Sequence, residues 1–242
     1  MIYLLKTTLI GLFFGIFGTT LGGIIGITLK KNSNKFLSFI LQLAAGLMTS
    51  IICFDLIPEA LGISGIVNTI VGVIVGIIIM IICDNYVNKK HRTKKNSLLN
   101  TGIIVGVGLA LHNFPEGLAI GSGFGASITL GYSLAIAILL HDIPEGLSMA
   151  IPLKNGGMSK SKTLTYTILS GITTGVGAFF GAALGQISLK TISLCLSIAA
   201  GAMLYIVSGE LIPESNNLYK GKIGLIGNVL GFIIGLIVFN IC

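Results

Sequence analysis

The chain has 242 residues, 53% of them hydrophobic and only 10% charged, with 34 glycines and no tryptophan. Soluble domains carry roughly 25% charged residues, so a soluble globular enzyme is excluded. The net charge of +7 is spread over short links, with no aromatic-interleaved basic surface, and gives no footing for nucleic acid.

Apolar runs of about 18–25 residues, the length a helix needs to cross a hydrocarbon core, recur along the whole sequence. In order they predict eight transmembrane helices: Thr7–Leu29, Phe36–Leu61, Ile66–Cys83, Leu98–Phe124, Ile128–Leu153, Leu164–Ile187, Thr191–Glu214 and Ile223–Ile241. Barrel strands would alternate apolar and polar positions over about ten residues, and no such pattern occurs. The expectation is an all-α integral membrane protein, with Met1–Cys242 as a single transmembrane domain. The first run outlasts the ~7–15-residue core of a signal peptide and ends at Lys30-Lys31. It reads as a retained span.

All basic residues except Lys6 and Lys190 fall in the odd-numbered links, at Lys30, Lys31 and Lys35, from Lys89 to Lys95, at Lys154, Lys160 and Lys162, and at Lys220 and Lys222, Lys6 and Lys190 lying on the opposite side. The positive-inside rule then puts those links in the cytoplasm and both termini outside. The third link, Asp84 to Ser97, reads as a solvated cytoplasmic loop, and its Lys89-Lys90-His91-Arg92 run as a solvated charged face, contact with anionic lipid being the lesser alternative. Glycines at small-xxx-small spacing, such as Gly18/Gly22/Gly26 and Gly177/Gly181/Gly185, read as close-packing surfaces between helices. Cys53, Cys83, Cys195 and Cys242 are scattered and read as small hydrophobes, and Gln42, Met48, Met149, Met203 and Ser148 as core.

The chemistry is concentrated in the carboxylates. Of Asp55, Glu59, Asp84, Glu116, Asp142, Glu145, Glu210 and Glu214, all but Asp84 lie in spans at or beside a Pro-Glu pair. Two hexapeptides are nearly identical, His112-Asn113-Phe114-Pro115-Glu116-Gly117 and His141-Asp142-Ile143-Pro144-Glu145-Gly146, each about half-way along its span. Spacings of three and four put His112, Asn113 and Glu116 on one helix face, and likewise His141, Asp142 and Glu145. Each proline removes an N–H and predicts a kink with a free carbonyl at Leu111 or Leu140. Ionisable groups at membrane depth are costly and mark ion paths.

Imidazole with carboxylate suits Zn²⁺, and also Fe²⁺ or Mn²⁺, better than the oxygen-seeking Mg²⁺ and Ca²⁺. His112, Glu116, His141 and Glu145 would make one four-coordinate site, and Asn113 and Asp142 with the shared glutamates a second. The bland reading of these residues is a proton relay or a pair of helix-locking hydrogen bonds. Asp55 and Glu210 read as way-stations at the outer and inner ends of the path. Glu59 and Glu214 are either further way-stations or caps of kinked helix ends. A metal-independent proton or sodium carrier and an intramembrane metalloenzyme are the rival classes. The second lacks an H-E-x-x-H helix, so no enzyme is expected.

The paired hexapeptides resemble the signature of the fourth and fifth spans of ZIP (Zrt/Irt-like) metal transporters, and the Ser208-to-Glu214 stretch resembles the seventh span of their bacterial GufA/ZupT-like branch. The resemblance covers essentially the whole chain. It implies a helical bundle with an elevator-like or rocking movement, homodimerisation, and uptake of Zn²⁺, often with Fe²⁺, Mn²⁺ or Cd²⁺, across the cell membrane, with the ion as cargo and no cofactor. It assigns His112, Glu116, His141 and Glu145 to a primary metal site and Asn113 and Asp142 to a second. Two positions depart from that branch: Thr174 stands where many relatives have Glu, and Gly209 where some have His.

Overall fold

In hydrocarbon every backbone N–H and C=O must be satisfied within the protein, which leaves the helix as the unit for these apolar runs. A computed structural model describes residues 1–29, 33–91 and 98–241, the side chains of 87–91, 98–106 and 109 aside. The helices are α1 (Ile2–Thr28), α2 (Asn34–Ser50), α3 (Ile57–His91), α4 (Leu98–Ala126), α5 (Ile128–Asn155), α6 (Lys160–Gly185), α7 (Leu189–Ile206), α8 (Ile212–Leu218) and α9 (Lys222–Ile241). Two π-helical stretches, Ile51–Leu56 and Val207–Leu211, lead into α3 and α8. No strand occurs among the described residues.

Serines set several helix starts. Ser33, Ser127, Ser159 and Ser188 hold extended backbone, and each side chain accepts an N–H three residues on, which satisfies one orphan donor of the first turn. At the other end of α1, Lys154 donates from Nζ to the Leu29 carbonyl at 2.7 Å. That places a cation where the helix presents unpaired oxygens.

Six helical runs among the described residues are long and apolar enough to cross a membrane. The second, Asn34–Tyr86, is 53 residues long and is interrupted at Gly65, whose φ of 74° and ψ of 175° are not helical. Only glycine adopts that region without strain.

One expectation is corrected here. The stretch from Asp84 is not loop at its start: α3 runs on to His91, because a helix need not stop where the apolar run does. Asp84 also finds a partner there, accepting from Tyr205 Oη of α7 at 2.9 Å. The helices α4 and α5 are assigned as α-helix through Pro115 and Pro144, and each proline leaves the carbonyl four residues back, at Leu111 or Leu140, without its amide donor. Wider π-helical turns lie just before Pro58 and Pro213, where they absorb a missing N–H. The readings that rest on Lys30 and Lys31, on Lys89 to Lys95 and on Cys242 lie outside the described residues and side chains.

The helices sort into sets. α1, α4, α5 and α6 pack on one another, α2 pairs with α9, and α3 pairs with α7. The sets meet where α4 lies against α7 and α2 against α5. That junction is filled by buried Leu41, Met48, Ile52, Leu134, Ile138 and Met203. Without a hydrophobic force between helices in lipid, contact depends on close backbone approach. The terminal glycines of the two hexapeptides supply it: a Cβ on Gly117 would run into the Thr174 carbonyl of α6, and one on Gly146 into the Thr19 carbonyl of α1. The apolar side chains left exposed, Ile66 to Ile82 on α3 and Leu225 to Ile241 on α9 among them, face outward from these seams.

Candidate metal site

Phe124 packs on Gly131 and Glu116 on His141, so α4 and α5 run antiparallel from the one-residue turn at Ser127. The hexapeptides therefore point in opposite directions, and the histidine of the second comes level with the glutamate of the first. His141 Nε2 lies 2.9 Å from Glu116 Oε1 and 3.5 Å from Asp142 Oδ1. Glu116, His141, Asp142 and Glu145 each offer one ligand atom within a group whose members all lie within 4.8 Å of one another. All four residues are 0% exposed.

The other ring nitrogen of His141 is 3.2 Å from the Ala137 carbonyl. A carbonyl only accepts, so Nδ1 carries the hydrogen there and the ring orientation is held from outside the cluster, as metal-ligating imidazoles usually are. Glu116 Oε2, both oxygens of Asp142 and both oxygens of Glu145 are buried without a hydrogen-bond partner. Leaving that many carboxylate oxygens unpaired in a dry interior is costly. Zn²⁺ ligands at ~2.0–2.1 Å in a tetrahedron stand about 3.3 Å apart, so the four groups reach that geometry with shifts of well under a helix turn. The donor set of one imidazole and three carboxylates fits a divalent transition metal.

The remaining sequence candidates fall around this group. His112 is buried, but its Nε2 sits 3.0 Å from Glu210 Oε2 in the second π-helical stretch, one turn away from the four-residue cluster along α4. Of the quartet read from the motif, Glu116, His141 and Glu145 lie in this group together with Asp142, while His112 borders it and pairs with Glu210. Asn113 is fully buried and donates from Nδ2 to the Ser170 carbonyl and hydroxyl at 3.0 and 3.2 Å. Thr174 is buried with an unpartnered hydroxyl and lies against Gly15 of α1, while Asp142 lies against Gly18 one turn further on. So two of the α1 glycines read as packing surface in fact border the site.

Asp55 is buried and accepts from Ser133 Oγ of α5 at 3.2 Å. Glu59 is half-buried and Glu214 exposed, each in the turn that follows a π-helical stretch. Met48 and Met203 lie in the main apolar cluster and Met149 packs with Leu153, as core. Among the described cysteines Cys53, Cys83 and Cys195 are free thiols. Sequence reasoning passed over Ser133, Ser170 and the Ala137 carbonyl. The hydroxyls were visible as polar residues in apolar spans, but nothing local says which helix they face.

The family model described as ZIP Zinc transporter matches residues 88–239, more than half of the chain and including both hexapeptides. This chain belongs to the ZIP family. Among individual relatives of this ZIP protein, the "Zinc transporter ZupT" of Akkermansia muciniphila is 31% identical over 98% of this chain and 96% of its own length. The "Zinc transporter GufA" of Myxococcus xanthus is 36% identical over 62% of this chain and 59% of its own. For the human "Zinc transporter ZIP11" the figures are 39%, 52% and 39%. The matched segment spans about half the length of these last two relatives.

Proposed function

We propose that this ZIP chain carries Zn²⁺ across a membrane into the cytoplasm, with the ion held in passing by Glu116, His141, Asp142 and Glu145. One observation carries the reading: three carboxylates and an imidazole converge, fully buried, with five carboxylate oxygens lacking a hydrogen-bond partner. A cation offsets their charge where water cannot. Names of relatives that include zinc transporters of the GufA, ZupT and ZIP11 kinds support the choice of cargo, and the donor types extend it to Fe²⁺, Mn²⁺ and Cd²⁺.

The topology we propose has eight crossings. A 53-residue run is about 80 Å of helix, enough for two passes, and the break at Gly65 divides it. α4, at 29 residues, supplies the eighth. With the basic links inside, both termini lie outside and the protein resides in the cell membrane as a homodimer. Asp55 then stands toward the outer face and Glu210 toward the inner. Between Asp55 and His141 the buried Leu134 and Ile138 close against α2, so passage requires the helix sets to move against each other. His112, paired with Glu210, receives the ion on the inward side of the cluster, and Asn113 offers an oxygen beside it.

The test is radioactive zinc uptake into proteoliposomes by the wild type, His112→Ala and His141→Ala, each checked for equal reconstitution. Uptake by the wild type and loss in both variants is the expected result. Uptake of protons or sodium that survives both substitutions, with no zinc moved, would replace this reading by a metal-independent carrier.

A further inference from the structure

An asparagine side chain has two ends of one shape and opposite chemistry. Its oxygen ligates a cation and its NH₂ repels one, so an asparagine beside a metal site is useful in only one of two orientations. In this protein the orientation is decided by α6. Asn113 Nδ2 lies 3.0 Å from the Ser170 carbonyl oxygen and 3.2 Å from Ser170 Oγ. The carbonyl can only accept, so the nitrogen end must face Ser170; the flipped amide would set two oxygens against each other. Both amide hydrogens are thereby matched by two acceptors on one residue, and the Ser170 carbonyl takes a further hydrogen bond from Thr173 Oγ1 at 2.6 Å. Oδ1 is left at the opposite end, buried and without a partner. It stands one turn from Glu116, whose Oε2 is also buried and unpartnered. The approach that makes this possible is the seam at which Gly117 of α4 meets the Thr174 carbonyl of α6.

We infer that Ser170 is a positioning residue for cation binding: it turns Asn113 so that the carbonyl oxygen faces the ion. The inference rests on the metal-site reading above and adds a residue of α6 to it. Ser170 itself touches no cation. It acts only through Asn113, which separates it from a residue that merely ties α4 to α6.

The experiment is radioactive zinc binding by equilibrium dialysis on the purified, detergent-solubilised full chain, for the wild type, Ser170→Ala, Ser170→Thr, Asn113→Ala and the Ser170→Ala/Asn113→Ala double variant. Ser170→Ala keeps the carbonyl but removes the hydroxyl, so one of the two bonds that hold the amide is lost. Loss of outer-shell support for a metal ligand typically weakens binding by 10–100-fold, so this variant is expected at the low end, about tenfold weaker, and Ser170→Thr, which keeps the hydroxyl, within about twofold of wild type. In the Asn113→Ala background Ser170→Ala should change the affinity no further, because the group it orients is gone. An equal additional loss in that background would make Ser170 a structural tie and overturn the inference, as would unchanged binding by Ser170→Ala in an otherwise wild-type chain that binds zinc. A wild-type chain that binds no zinc would overturn the metal-site reading and this inference with it.

Discussion

Glu145→Met separates the cost of the site from its use. Both Glu145 carboxylate oxygens are buried and unpartnered and the residue is 0% exposed. An unsatisfied buried polar group costs about 1–3 kcal/mol. Methionine has a similar length and volume and no such group, so the metal-free variant should be more stable by about that amount. For a chain of this size 1 kcal/mol is worth roughly 2–4 °C, so the metal-free melting temperature should rise by roughly 2–12 °C. The same change removes a ligand, so added zinc should raise the melting temperature of the wild type but much less that of Glu145→Met, and uptake should fall. The assay is thermal unfolding in detergent followed by intrinsic tyrosine fluorescence, with chelator and then with zinc. A chelator-treated variant that melts several degrees below the wild type would refute the reasoning, because it would show that Glu145 supports the fold rather than burdening it.

Zinc binding should displace at least one proton per ion. The 2.9 Å contact between His141 Nε2 and Glu116 Oε1 needs a hydrogen between them, and a bound cation takes its place; titrating zinc into a weakly buffered sample with a pH indicator reads it. Gly146→Val should sharply lower the yield of folded protein, since its Cβ meets the Thr19 backbone, whereas Gly62→Ala, with nothing within 4 Å, should not. Size-exclusion profiles of the two variants make the comparison. Gly65→Ala must hold alanine at a φ of 74° and should lose about 1–3 kcal/mol, measured as a lower melting temperature.

Much of the architecture was legible before any coordinates. Long apolar runs in a chain with so few charges leave helices in a membrane as the one arrangement that satisfies the backbone. The i, i+3 and i+4 spacings place His141, Asp142 and Glu145 on one face wherever the helix goes. Glycine spacing likewise marked the seams, because close approach depends on a missing Cβ and that is written in the residue type. Helix ends were harder. α3 continues past the apolar run to His91, and the π-helical turns before Pro58 and Pro213 leave no mark in a hydropathy pattern.

What the sequence determined by itself is the kind of protein and the content of its candidate site: an all-helical membrane protein with repeated imidazole and carboxylate side chains on two helix faces. These follow from local geometry and solvation, which depend on near neighbours in the chain. Only the tertiary structure decided which groups meet. It brings His141 to Glu116, carries His112 to Glu210 and turns the Asn113 amide against Ser170. Those pairings depend on the direction and register of helices separated by 25 to 98 residues of chain. Register is set where one backbone can lie against another, a property of two surfaces together that neither segment holds alone.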